Sequence, residues 1–167
     1  MTPPGSVRAL DRLLPFIALG TLGLSLAVVL GHAGSTLGYD LQAYVGAGGR
    51  VLHGQPLYDA SADVAGPFAV YLYPPPFALV AVLLALLPGA IVTGGWTLLL
   101  VAAFLGGLAL TPVSWRVRWL VVLLAALSWP FLYAIKLGQV EPLLILAFAA
   151  TWRWLDRPAP VGISAAL

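Results

Sequence analysis

The chain has no cysteine and very little charge: 8% of its 167 residues are Asp, Glu, Lys or Arg, where a soluble domain carries about a quarter. Without cysteine there is no disulfide framework, no thiolate metal site and no thiol nucleophile, and the redox compartment cannot be read. Only two histidines are present, His32 and His53, and they share no ligand spacing with each other, so no metal or other cofactor is expected. Eight basic and six acidic residues leave a net charge of +2 with no basic run, which gives no basis for a nucleic-acid partner. Gly46, Gly48 and Gly49 do not fit the nucleotide-binding glycine pattern and follow no strand.

What fills the chain is apolar. Hydrophobic residues make up 61% of it, as in an integral membrane protein. A helix rises 1.5 Å per residue, so crossing a hydrocarbon core of about 30 Å takes about 20 residues. Runs at 13–33, 91–110, 117–135 and 140–154 approach that length, and a fifth begins near Val161. The first run follows Arg8 and Arg12 but is too long for a signal core, so it reads as a retained span. Residues 76–88, PFALVAVLLALLP, would make a helix of only about 18 Å. If this piece stays on the outer side, Arg8, Arg12, Arg116, Arg118, Arg153 and Arg157 all fall on the cytoplasmic side, as the positive-inside rule expects. The expectation is an all-α, polytopic membrane module covering residues 1–167, with an outer-face loop over 35–90 that carries interfacial helices.

That loop holds the scarce polar groups. Residues 38–77 include half of the acidic residues, and ionisable groups concentrated in one part of a membrane protein point to chemistry there. The spacing of Leu41, Tyr44, Val45, Gly48 and Leu52 predicts an interfacial helix over 39–52. Asp40, Ala43, Ala47 and Arg50 flank this stripe, with the two charges separated by about 15 Å along the axis. That distance suits a ligand lying between them rather than a salt bridge. A carboxylate held partly out of water becomes a stronger base, which makes Asp40 the candidate general base. The competing role for Asp40 is helix N-cap. Arg50 and Lys136 are outer-face cations able to meet a phosphate, or simply to snorkel among lipid head groups. Glu141 lies five residues from Lys136, close enough for a local ion pair. Tyr71, Tyr73 and Phe77 are able to stack on a sugar or to anchor at the interface, and Pro74, Pro75 and Pro76 stiffen the path back to the membrane. Gln139, beside Gly138, is either a hydrogen-bonding group for a hydroxylated ligand or a turn residue.

Three segments occur in one order: YDLQAYVGAGGRVLHGQPLYD, YLYPPPFALVAVLLALLP and LSWPFLYAIKLGQVEPLLIL. Together they resemble the N-terminal part of glycosyltransferase family 87, membrane transferases of the GT-C fold that use polyprenyl-phosphate sugars. The resemblance implies transfer of mannose or a similar sugar from a polyprenyl-phosphate donor to a lipid-linked or cell-envelope acceptor, with inversion, at the outer face of the plasma membrane. It implies Asp40 as general base, with Arg50, Tyr73 and Gln139 lining the site, and Lys136 is added as an outer-face cation. Two departures stand out. The family usually has Asn where this sequence has Glu141, and its members are usually more than twice as long, which implies that the sequence is an N-terminal portion. The alternatives are a non-catalytic subunit that binds a lipid carrier, an inactive fragment, a partner that completes its site with a separately encoded C-terminal half, and a small transporter. The last would need ionisable residues within its spans.

Overall fold

The computed structural model describes residues 5–58 and 70–155, with side chains from Asp11 onward. Asp59, Asp63, Asp156, Arg157 and the run from Val161 lie outside the described residues. Among the described residues all regular structure is helical. The order is α1 (Gly5–Gly31), a 3-10 turn (Gly34–Thr36), α2 (Tyr39–Leu52), α3 (Pro75–Ala85), α4 (Gly89–Leu110), α5 (Trp115–Leu127), α6 (Trp129–Leu137) and α7 (Glu141–Arg153).

Asp11–Gly31 of α1 and the whole of α4 are long and apolar enough to cross a membrane. Phe16, Leu24, Leu98 and Leu99 stand exposed on them, as lipid-facing side chains would. The run expected to cross at 117–135 is instead two helices, α5 and α6, bent by 72°. The break has a local cause. Ser128 is extended, with φ −87° and ψ 113°, and Pro130 has no N–H to give the Ala126 carbonyl one turn back. Counted as one bent span, the pair makes a third crossing. The run expected at 140–154 becomes α7, whose 13 residues cover about 20 Å.

The helices pack chiefly in pairs, α1 with α5, α2 with α3 and α4 with α7. Small residues bring the backbones together, the usual way helices associate where lipid tails compete for apolar surface. A Cβ on Gly107 would lie 3.0 Å from Ile145 Cγ2, and one on Gly48 would run into the Ala81 carbonyl. One core cluster joins Ala18 and Leu22 of α1 to Phe104 and Leu108 of α4 and to Val122 and Ala126 of α5. The other joins Leu41, Tyr44 and Ala47 of α2 to Ala78, Trp96, Leu100 and Ile135.

Two contacts order the ends of the bundle. Arg116 Nε lies 3.6 Å from Asp11 Oδ1, which sets the N-terminal parts of α1 and α5 side by side. Leu30 and Leu37 share an apolar groove with Gly89, Thr93 and Leu98. The chain therefore leaves α1 and begins α4 at the same end, and α2 and α3 make no net passage along the bundle.

Candidate functional site

The polar residues of that end are assembled by two glycines. Gly38, the N-cap of α2, takes a left-handed conformation at φ 68°, and its N–H donates to the Lys136 carbonyl at 2.8 Å. Gly138 ends α6 at φ 79°. Its N–H and that of Gln139 both return to the Ala134 carbonyl, at 3.0 and 2.9 Å, a glycine C-cap that turns the chain toward α7. The Gly138 carbonyl accepts from Trp96 Nε1 at 2.8 Å. A Cβ on Gly138 would stand 2.9 Å from Leu41 Cβ and 3.3 Å from Trp96 Cδ1. The α6–α7 turn is thus held between α2 and α4.

Asp40 occupies the second position of α2 and is half-buried. Gly38 has the capping place, with no side-chain cap bond, so Asp40 is a first-turn carboxylate rather than the N-cap. A negative charge at that position is favoured by the helix dipole. One turn on, Tyr44 is fully buried, and its hydroxyl lies 3.1 Å from the Tyr73 hydroxyl. Its ring meets Tyr73 and Phe77 edge to face, both at 5.1 Å, and Trp96 at 5.9 Å. Burial first, then the hydrogen bond to Tyr73, then the negative charges of Asp40 and Glu141 push the Tyr44 phenol well above its ordinary pKa. Tyr71 is raised too, chiefly by burial, and its hydroxyl donates to the Pro74 carbonyl at 2.8 Å. Tyr58 donates to the Tyr73 carbonyl at 2.7 Å, so the YLYPPPF segment is fastened on both sides.

Of the residues picked from the sequence, Asp40 lies one turn from Tyr44, whose hydroxyl meets that of Tyr73, and the backbone of Lys136, in the last turn of α6, meets the start of α2 just before Gln139. Lys136 is half-buried, with Nζ 5.1 Å from the Tyr133 ring centre. It makes no ion pair with Glu141; among the described residues the one ion pair is Asp11 with Arg116. Arg50 is not brought in. It sits at the other end of α2 and its Nη1 donates to the Leu57 carbonyl at 3.3 Å. The strip imagined between Asp40 and Arg50 as a ligand surface is filled: Ala43 and Ala47 belong to the core cluster, while Leu52, expected on the buried stripe, is 49% exposed. The reason is α3, which packs on the Ala47 and Gly48 face and rotates the buried side away from Leu52. Tyr44, Trp96 and Glu141 were not singled out as site residues. For Tyr44 the signal in the sequence was only an apolar-stripe position, because its hydroxyl partner is 29 residues away. Among the described residues no three His, Cys, Asp or Glu side chains gather as metal ligands would.

These features define an integral membrane protein, all-helical, with Asp40 and the Tyr44–Tyr73–Phe77 aromatic group at one end of the bundle. Residues 71–167, more than half of the chain, match the model of glycosyltransferase family 87, and the chain belongs to that family. It is a glycosyltransferase by that membership. Tyr73, Lys136 and Gln139 lie within the matched stretch, and Asp40 and Arg50 precede it. No curated protein and no solved structure matches the chain.

Proposed function

We propose that the protein belongs to a transferase that moves a sugar, mannose or a similar hexose or pentose, from a polyprenyl-phosphate donor to a hydroxyl of a lipid-linked or cell-envelope acceptor. The site is the α2 end of the bundle, facing the outside of the plasma membrane. The observation that carries the reading is the placing of Asp40: a half-buried carboxylate in the first turn of α2, locked by Gly38 to the turn that bears Gln139.

In this reading the Asp40 carboxylate takes the proton of the acceptor hydroxyl. The oxygen attacks the anomeric carbon as the bond from that carbon to the phosphate oxygen breaks, and polyprenyl phosphate leaves with the electron pair. Attack opposite the leaving group inverts the anomeric centre. Gln139 and Tyr73 supply hydrogen bonds to sugar or phosphate oxygens, and Lys136 supplies positive charge for the phosphate. Arg50, at the far end of α2 and bonded to the Leu57 carbonyl, has no part in this step. The prenyl chain stays in lipid, which supports an apolar exterior around the site and removes the need for a nucleotide-binding domain.

The experiment is transfer of radiolabelled sugar from a polyprenyl-phosphate donor in membranes, comparing this chain alone with the chain joined to its genomic downstream sequence. Activity in at least one form, lost in Asp40→Asn, is the expected result. An inserted protein with no transfer in either form contradicts the reading and favours a binding subunit.

A further inference from the structure

Resting on the transferase reading, one further role follows from the tyrosine pair. The hydroxyl of Tyr44 lies inside a fully buried residue, surrounded by the rings of Tyr73, Phe77 and Trp96. Among the described residues its hydrogen-bond partner is the Tyr73 hydroxyl, at 3.1 Å. A phenol has one proton to give and lone pairs to accept with. If Tyr73 donated to Tyr44, the Tyr44 proton would be buried without an acceptor, which costs more than the bond is worth. The reverse direction pairs the buried Tyr44 proton and leaves the proton of Tyr73, a half-buried residue, for another acceptor.

We infer that Tyr44 is a positioning residue: its buried hydroxyl donates to Tyr73, which turns the Tyr73 proton outward toward an acceptor oxygen of the bound substrate. The surroundings also hold the segment that carries Tyr73. Tyr58 holds the Tyr73 carbonyl at 2.7 Å and Tyr71 holds the Pro74 carbonyl at 2.8 Å, so the backbone beneath the Tyr73 side chain is tied down. Tyr44 is one helical turn from Asp40, and thus couples the candidate base on α2 to a donor on the segment before α3. The receiving oxygen belongs either to the donor phosphate or to the acceptor hydroxyl.

The test uses the full chain in membranes or detergent, with Tyr44→Phe, Tyr73→Phe and the double variant. In thermal unfolding, Tyr73→Phe strands the Tyr44 proton and lowers Tm, and adding Tyr44→Phe raises Tm again. No recovery in the double variant overturns the direction of the bond. In sugar transfer, Tyr44→Phe lowers kcat/KM about threefold to tenfold, the share of one hydrogen bond, and has no further effect once Tyr73 is Phe. Transfer by Tyr44→Phe equal to wild type overturns the positioning role. Weaker binding of polyprenyl phosphate by Tyr73→Phe assigns the oxygen to the donor; unchanged binding with a raised acceptor KM assigns it to the acceptor, and neither effect overturns the substrate contact. A wild-type protein that neither transfers sugar nor binds polyprenyl phosphate overturns the transferase reading and the contact together. The unfolding series still decides the tyrosine pair by itself.

Discussion

Single residues at the α2 end have roles that their neighbours make specific. Gly138 is one: at φ 79° any side chain pays for a left-handed backbone, and a Cβ would also press on Leu41. Gly138→Ala is expected to lose about 1–2 kcal/mol in thermal or denaturant unfolding, and to disturb Gln139 with it. Tyr44 gives a pH signature. Burial raises its phenol in the folded chain, so above about pH 10 the unfolded chain releases a proton that the folded chain keeps. Below that pH the group leaves stability unchanged; above it, stability falls. Tm measured from pH 9 to 11 should drop more steeply for wild type than for Tyr44→Phe, and parallel curves would contradict the assignment. The sequence placed Asp40 at the start of a helix correctly, but local periodicity sees only neighbours on one helix. It therefore assigned Tyr44 to an apolar stripe and missed a partner on another segment, and it treated Ala43 and Ala47 as open surface because nothing in the pattern reveals α3 lying on the same helix.

At the level of helices, the pairing of α2 with α3 is what presents the site, and it depends on Gly48. A methyl group there meets backbone, the Ala81 carbonyl, which cannot swing aside. Gly48→Ala is expected to cost about 1–3 kcal/mol by overpacking and to reduce transfer, since Phe77 lies in the first turn of α3 and Tyr73 just before it. By contrast, a Cβ on Gly46 or Gly49 meets nothing within 4 Å, so Gly46→Ala serves as the control, expected to unfold at or slightly above wild type because alanine favours a helix interior by up to about 1 kcal/mol. Helix α2 was legible from spacing because its period is strong: the stretch predicted over 39–52 is the helix observed, Tyr39–Leu52. The break at Ser128 was not. Hydropathy is continuous through it, and Pro130 alone does not announce an extended residue two positions earlier.

The whole molecule makes a claim about sides of the membrane. The Asp11–Arg116 contact and the groove shared by Leu30 and Gly89 place the segment between α1 and α4 at one end, and Arg116 and Arg118 at the other. With the positive-inside rule, the proposal is that the α2 end is the outer one. A chain without cysteine is a clean background for labelling. Gln55→Cys, on an exposed position after α2, is expected to react with a membrane-impermeant maleimide from outside intact cells, and Val113→Cys, exposed between α4 and α5, only after permeabilisation. The opposite pattern would move the site to the cytoplasmic side.

The central claim is that Asp40 is the base of a sugar transfer at this end of the bundle. The direct measurement is sugar transfer from a radiolabelled polyprenyl-phosphate donor by wild type and Asp40→Asn, in whichever form of the chain is active, with membrane levels matched. Asparagine keeps the size and loses the basicity, so the account predicts a fall of roughly 10²-fold or more with unchanged insertion. Substantial turnover by Asp40→Asn would remove Asp40 from the mechanism.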